Sequence, residues 1–446
     1  MNWKRLRQKI LEEHYPDDKE LKETRSKYKE ISELISEKYG LETHFAGSAS
    51  RETCIKGDKD IDIFVLFPKD TSRKELENKG LEIGKGVFKH FDEQYHVEYA
   101  EHPYTKGEIK GHEVEIVPCY DVPATEIKSA VDRTPHHSRW VEENLNEEQR
   151  KDVVLLKTFL RANGLYGSSL KVQGFSGYLC EILIAEYGGF KELVEAAQGW
   201  NGREVMDPEN HHEDGLPAEL VSKFDALGLV VIDPVDPERN VASVLSNQNY
   251  SKFMFSSWKF NMDPGMNFFR GEEKEFSEFE VKQEINSRAD FVVIEFETPS
   301  EVDDIVYPQM RKTLRRLTQV LEKNDFRIFD KGFHVGEEDS RIFFELDESL
   351  PEVKYVKGPK VSHGAQHLDQ FHSKYENVFI QENRLYGKDN REFTNAKELL
   401  KDFLDSDRES KGVPKNIAKP MDRLSFIDPL EGDKEWLKYL SEKLHV

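Results

Sequence analysis

Cysteine is scarce in this chain: Cys54, Cys119 and Cys180 are the three among 446 residues, far apart and without a repeated spacing. That excludes a disulfide-stapled scaffold and a cysteine-based zinc site. It predicts three reduced thiols, with Cys119 and Cys180 in a buried strand and helix. No apolar run approaches the roughly 20 residues that a bilayer span requires. The N-terminus, Met1-Asn2-Trp3-Lys4-Arg5-Leu6-Arg7, continues into a charged helical pattern instead of the apolar stretch of a signal peptide, so a soluble, cytoplasmic protein is expected. A basic excess is missing too, since 64 Lys and Arg face 86 Asp and Glu for a net charge of −22. Such a balance repels a polyanion at long range. Any nucleic-acid partner therefore needs local basic surface, expected in the first 40 residues, with 10 basic and 9 acidic side chains, and at Arg311, Lys312, Arg315 and Arg316. The acidic excess also fits a salty cytoplasm, because molar salt screens charge within about 3 Å. The histidine pairs His136-His137 and His211-His212 lack the acidic or cysteine companions of a zinc site. Internal repeats and low-complexity segments are absent.

What the chain does have is a small polar turn, Gly47-Ser48-Ala49-Ser50-Arg51, followed by a strand that opens Asp60-Ile61-Asp62-Ile63-Phe64-Val65. Side chains alternate along a strand, so Asp60 and Asp62 share one face and Ile61, Ile63 and Val65 the other. Two carboxylates so close repel, and divalent ions relieve the repulsion. Hard cations such as Mg²⁺ prefer carboxylate and phosphate oxygens, and a pair of them about 3.5–4 Å apart can hold the attacking and leaving oxygens of an in-line displacement. A third carboxylate is needed. Glu115, in the apolar strand Val114-Glu115-Ile116-Val117-Pro118-Cys119-Tyr120, faces opposite to Val114 and Ile116 and is the candidate. Gly47 offers open backbone and Ser48 a hydroxyl for cradling a triphosphate, with Arg51 close in sequence.

A Gly-Ser turn at this distance from an Asp-x-Asp strand resembles the signature of the nucleotidyltransferase superfamily that includes DNA polymerase beta. Over nearly its whole length the chain resembles, more narrowly, the archaeal class I CCA-adding enzymes, also called CCA tRNA nucleotidyltransferases. The separated motifs that carry this are the Gly47–Asp62 block, His102-Pro103-Tyr104 with the Val114–Tyr120 strand, Ser129 to His137, Gly174 to Glu181, and Val231 to Val241. The resemblance implies that Asp60, Asp62 and Glu115 are the metal-binding catalytic triad and that Ser48 and Arg51 touch the nucleotide phosphates. It adds Lys157 and Tyr166 to the triphosphate site, Thr134 and His137 to the nucleotide and primer pocket, and Arg239, with Asn240 as a weaker second, to base selection. The family pattern often places Glu first and Asp third in the triad; here the order is Asp60, Asp62, Glu115. Also implied are Mg²⁺, CTP, ATP and the acceptor half of tRNA with its 3′ end as partners, and a homodimer.

The expected architecture is α+β and multidomain: a polymerase beta-like α/β catalytic domain at 1–140, a central helical nucleotide- and tRNA-binding domain at 141–262, and an α+β tRNA-binding body and tail at 263–446. In the first part, apolar positions from Leu21 to Ile35 predict a helix beside the catalytic sheet, ending at Gly40. Strands then surround a helix near Lys74 to Phe91. In the second part, Asn146 with Gln149 three residues on reads as a capping box ahead of the apolar run Val153–Leu160, closed by Asn163-Gly164. On that helix periodicity alone reads Lys157 as a solvated lysine; only the resemblance turns it toward a pocket. Glycines near Gly174 permit close backbone approach. A boundary is expected at Asn261 to Gly265, then an acidic patch at Glu272, Glu273, Glu275, Glu278 and Glu280. Next come a strand at Phe291–Phe296, a helix with Met310, Leu314, Leu317 and Leu321 on one face, and strands near Phe326–Phe329 and Arg341–Leu346. That β-α-β-β order predicts a small antiparallel α+β domain. Its strands lack the aromatic consensus of an RNA-recognition motif. The segment Tyr355–Tyr375 resembles the family's tail.

Template-independent addition of CMP, CMP and AMP to the 3′ end of tRNA, with release of pyrophosphate, is the activity the resemblance implies. Two rivals share the fold: an ATP-specific poly(A) polymerase or oligoadenylate synthetase, and a non-catalytic RNA-binding relative. Intact carboxylates disfavour the latter, since binding RNA does not call for clustered negative charge.

Overall fold

Two helices open the chain where one was expected, and Pro16 is the reason. The computed structural model describes residues 2–99, 101–224, 228–271, 277–375 and 377–444. Helix α1 (Trp3–His14) is capped by Asn2, whose side chain accepts from the Lys4 N–H, and Tyr15 is extended, the conformation that a following proline imposes. Helix α2 (Asp18–Tyr39) starts again at Asp17, whose carboxylate accepts from the N–H groups of Lys19 and Glu20, and ends on Gly40 at φ +69°. The two helices serve different cores. Leu6 and Ile10 of α1 pack with the helices of residues 141–269, whereas Ile31 and Ile35 of α2 pack on the first sheet.

That sheet is built from β1 (Thr43–Ala46), β2 (Asp60–Pro68), β3 (Tyr95–Tyr99), β4 (Pro103–Ile109) and β5 (His112–Asp121), in the order β1-β2-β5-β4-β3. A single helical turn, α3 (Gly47–Ser50), follows β1, and α4 (Arg73–Phe91) follows β2. Only β2 and β5 pair in parallel. Such a pair needs a crossover, which α4, β3 and β4 supply. Ile61, Ile63 and Val65 face the core beneath α2 and α4, as alternation predicts.

The second stretch runs through α5 (Thr134–Asn144), α6 (Glu147–Ala162), α7 (Gly177–Tyr187) and α8 (Phe190–Ala196). The expected capping box is present: Asn146 Oδ1 accepts from the Gln149 N–H at 3.0 Å while Gln149 Oε1 accepts from the Asn146 N–H at 3.1 Å. Residues 153–160 of α6 are all buried, so this helix is sheathed on every side. Strands β6 (Glu204–Met206), β7 (Leu229–Asp233) and β8 (Asp236–Asn240) add a small sheet beside helix α9 (Ala218–Phe224) to the central domain expected to be helical. Helix α10 (Asn247–Met262) and a turn at Met266–Phe269 complete the unit. Phe269 enters the same core as Phe159, so packing continues past the Asn261–Gly265 turn. By its contacts the chain divides into Met1–Glu273 and Lys274–Val446.

The second unit contains α11 (Glu278–Ser287), β9 (Asp290–Glu297), α12 (Asp303–Lys323), β10 (Ile328–Val335) and β11 (Asp339–Leu346). It continues through β12 (Val353–Lys360), α13 (Ala365–Lys374), β13 (Val378–Gln381), β14 (Arg384–Asn390), α14 (Ala396–Asp405), α15 (Lys415–Ala418), β15 (Ser425–Ile427) and α16 (Lys434–Leu444). One antiparallel sheet runs β10-β11-β9-β15, matching the expected β-α-β-β order, and a second runs β12-β14-β13. The basic cluster is divided: Arg316 donates to the Lys411 carbonyl at 2.6 Å and lies over Phe403, while Lys312 and Arg315 are not buried. Of the acidic patch, Glu278 and Glu280 stand in the first turn of α11, where the helix dipole favours them; Glu272, Glu273 and Glu275 lie outside the described residues. Cys54, Cys119 and Cys180 are all buried free thiols. Among the described residues no helix is long and apolar enough to cross a membrane.

Phe159 sits in an aromatic cluster of the first unit, its ring 5.6–6.4 Å from those of Phe190, Phe253, Phe260, Phe268 and Phe269. Phe159→Ala is expected to cost about 3–5 kcal/mol, the range for emptying a packed aromatic site. Chemical denaturation followed by tryptophan fluorescence reads that loss.

Candidate active site

The register of three neighbouring strands assembles an acidic row. Parallel pairing of β2 with β5 sets Asp62 beside Glu115 and Asp60 beside Glu113. Antiparallel pairing of β4 with β5 sets Lys106 on the other side of Glu115. Directly paired residues project from the same face of a sheet, so Asp62, Glu115 and Lys106 lie side by side, away from the apolar core. Lys106 Nζ donates to Glu115 Oε1 at 2.9 Å and to Glu113 Oε1 at 2.6 Å.

Charge is poorly compensated on the β2 side. Burial, and then the charges of Glu115 and Asp60, push the Asp62 carboxyl up to about 7. Burial, and then Asp58 and Glu113, also raise Asp60, which stands at the exposed end of the strand. Gly47 forms the wall of this site. At φ +75° it occupies the left-handed region, and a Cβ there would lie 1.8 Å from Asp62 Oδ2, so both conformation and space demand glycine. Ser48 follows, half-buried, with its carbonyl accepting from the Thr53 N–H at 3.0 Å.

Three clustered carboxylates, one of them held up near neutrality by burial and by its neighbours, form a hard oxygen set short of positive charge, and a divalent cation fits that set. As they stand, no three His, Cys, Asp or Glu side chains among the described residues converge tightly enough to enclose an ion. Glu115 is drawn instead toward Lys106.

Behind the Gly47–Ser50 turn lies a buried ionic cluster centred on Glu181 of α7. Arg51 donates to Glu181 Oε1 and Oε2 at 3.0 Å each and to Ser138 Oγ at 3.1 Å, and Thr53 Oγ1 donates to Glu181 Oε1. Lys157 is 2% exposed, not solvated as periodicity alone reads it, and donates to the Thr53 carbonyl at 2.7 Å. Burial lowers the Lys157 pKa, opposed by Glu181. Burial would raise Glu181, but the Arg51 and Lys157 charges and the bonds from Arg51 and Thr53 bring it below the usual range. Tyr166 comes close as well: a Cβ on Gly177 would sit 3.3 Å from its hydroxyl and 3.5 Å from Lys157 Nζ, so both reach the first turn of α7.

A third cluster gathers on Asp233 at the end of β7. This fully buried carboxylate accepts from His137 Nε2 at 2.9 and 3.1 Å, from Arg239 Nη1 at 2.6 Å, from the Tyr178 hydroxyl at 3.4 Å and from the Val235 N–H at 3.0 Å. His137 stacks on Tyr178 with ring centroids 4.0 Å apart. Thr134 begins α5 one turn ahead of His137 and Ser138. Asn240 is buried, and its Oδ1 accepts from the N–H groups of Val231 and Ala242, so it shapes the β7–β8 hairpin. Of the paired histidines, His136 contacts the Val122 carbonyl just after β5, while His211 contacts that of Pro234 and His212 that of Pro237 at the β7–β8 turn.

The structure thus sets Asp60, Asp62 and Glu115 along one face of the sheet without converging them on one point, and brings together Arg51 with Lys157 and Tyr166, then His137 with Arg239. Glu181, Asp233, Tyr178 and Lys106 are the residues that sequence reasoning missed. Glu181 and Asp233 stand inside two of the motifs, where an acid in an apolar run is the available signal. Lys106 is visible only through strand register.

Comparison with known families agrees with this geometry. Residues 15–137 match the nucleotidyltransferase domain family, which gives the class of the sheet and its acidic row. Residues 151–270 match the second domain of tRNA nucleotidyltransferases, and residues 288–424 the C-terminal domain of CCA-adding enzymes. The CCA-adding enzyme of Methanocaldococcus jannaschii is 38% identical over 419 residues, 92% of each chain. That of Archaeoglobus fulgidus is 34% identical over 440 residues, covering 97% of this chain and 96% of its own. The CCA-adding enzyme of Thermococcus gammatolerans is 34% identical over 459 aligned positions, 99% of both chains. The chain belongs to the CCA-adding enzyme family. Nucleotidyltransferases of this fold generally use divalent metal ions.

Because Asp62 holds its proton more tightly when folded than when unfolded, the native state binds more protons between about pH 4 and 7. Metal-free stability therefore falls as pH rises through that window. Deprotonating a carboxyl so raised, with solvent screening at the open side of the site, costs the fold roughly 1–3 kcal/mol. Asp62→Asn removes this cost. Thermal melts in EDTA are expected to show the variant more stable than the parent at pH 8 and no more stable at pH 4.

Proposed function

We propose that this protein builds or repairs the CCA terminus of tRNA, adding CMP, CMP and AMP from CTP and ATP without a template and releasing pyrophosphate. The observation that carries this reading is the side-by-side placement of Asp62 and Glu115 next to the Gly47–Ser50 turn, within a chain that belongs to the CCA-adding enzyme family. Asp60, Asp62 and Glu115 are the metal ligands, and Mg²⁺ is the ion whose hardness suits them. When bound, it supplies charge neutralisation at the phosphates and lowers the pKa of the attacking hydroxyl. Three working parts at 1–140, 141–262 and 263–446 divide catalysis, nucleotide contact and tRNA contact. A homodimer acting in the cytoplasm completes the proposal.

The chain's own residues position and neutralise. Ser48 stands in the turn beside Gly47, which abuts Asp62, and Tyr166 directs its hydroxyl toward the α7 N-terminus. Glu181 offsets one of the two charges of Arg51 and Lys157, so a net positive charge lies behind the turn, where it favours a triphosphate. The bonds of Arg51 to Glu181 and of Lys157 to Thr53 fix the loop that carries Ser48. The Arg239 side chain stands 37% exposed with Nη1 donating to Asp233, so its remaining N–H donors can read an acceptor on a base. His137 and Thr134 line the approach to it. Rejection of a wrong base follows from polar groups left unpaired.

Incorporation of labelled CTP and ATP with Mg²⁺ into tRNA transcripts ending at the discriminator base, after one C and after two Cs tests the proposal. CMP on the first two and AMP on the third is the expected pattern; repeated AMP on any RNA would assign the protein to the ATP-specific branch. The double variant Asp60→Ala, Asp62→Ala is expected to lose about 10³-fold or more of the rate while still binding tRNA.

A further inference from the structure

Lys106 belongs to none of the sequence motifs, yet its ammonium is in direct contact with the acidic row. On β4 it pairs across to Glu115, which pairs in turn with Asp62 on β2. Its ammonium bridges two carboxylates of one strand, Glu113 and Glu115, at 2.6 and 2.9 Å. Glu115 and Lys106 are mostly shielded, with side chains 25% and 21% exposed, whereas Glu113 at the rim is 52% exposed. One partner of the ammonium thus faces the catalytic centre and the other faces solvent.

We propose that Lys106 is the resident counter-ion of the catalytic carboxylates, and that it yields Glu115 to an incoming divalent cation by moving fully onto Glu113. The proposal rests on the reading of Asp60, Asp62 and Glu115 as metal ligands. An ammonium is a compact point charge on a flexible four-carbon stem with three donors, so giving up one of two bonds requires no backbone movement. A dication beside Glu115 repels the ammonium at short range, and Glu113 retains it. Glu113 then has a purpose that the triad does not supply: without it, the acid pairing with Asp60 at the rim only adds repulsion. Lys106 is accordingly a positioning residue that sets the affinity and the occupancy of the metal site.

The full-length protein, without nucleotide, is titrated with Mn²⁺ and free Mn²⁺ is followed by electron paramagnetic resonance. Lys106→Met, which keeps most of the stem, is expected to tighten the Asp62-dependent site by about 10-fold, the effect of one unit charge a few ångströms from a dication near solvent. Lys106→Arg is expected to stay near the parent. Glu113→Gln is expected to weaken binding several-fold in the parent and by less than about 2-fold once Lys106 is Met, because the coupling passes through the ammonium. Equal or weaker Mn²⁺ affinity in Lys106→Met, with an Asp62-dependent site present in the parent, overturns the counter-ion role alone. Glu113→Gln acting equally in both backgrounds also overturns it. A parent protein with no Mn²⁺ site sensitive to Asp62→Asn overturns the reading of the carboxylates and this inference with it.

Discussion

Parallel pairing of β2 with β5 forces like charges together, and much of the first unit answers to that constraint. Hydrogen bonding along the two strands fixes Asp62 beside Glu115 whatever their charges prefer. The core beneath them, with Ile61, Ile63, Val114 and Ile116 fully buried, makes a shift of register impossible without exposing those side chains, since a one-residue slip exchanges the faces of a strand. Electrostatic strain is thereby stored at one point of the sheet and held there by apolar packing. Gly47 presses backbone against the same carboxylate, leaving it little room to turn away.

Away from the acidic row, two buried acids organise the positive groups. Glu181 binds Arg51 and Thr53, while Asp233 binds His137, Arg239 and Tyr178. Each joins segments distant in sequence, and each is fully buried. Leaving a buried ion without its partner is far more costly than the pair is stabilising. These clusters therefore specify geometry more than they add stability: they fix the Arg51 and Arg239 guanidinium groups and the His137 imidazole in place.

Much of this was legible beforehand, for physical reasons that differ from residue to residue. Asp60 and Asp62 could be placed on one face because strand alternation has a period of two. The Asn146–Gln149 box was readable because capping is local in sequence. Pro16 breaks the N-terminal helical pattern, so that two helices pack on separate cores where apolar spacing alone predicts one. Lys157 misled because periodicity describes a lone helix, whereas α6 is enclosed on all sides and its lysine finds the Thr53 carbonyl 104 residues away. Lys106, Glu181 and Asp233 acquire their roles only through long-range pairing, which no local pattern encodes.

The anchoring of Thr53 by Lys157 has a consequence for how the chain can be divided. The loop behind Ser48 is secured from α6, and α1, although it precedes the sheet, buries Leu6 and Ile10 among the helices that follow it. An excised N-terminal segment ending near residue 140 would expose those apolar side chains and strand Arg51 without Glu181. The polymerase-like sheet is thus not a portable module in this protein; its loop is finished by sequence that the ribosome delivers more than a hundred residues later.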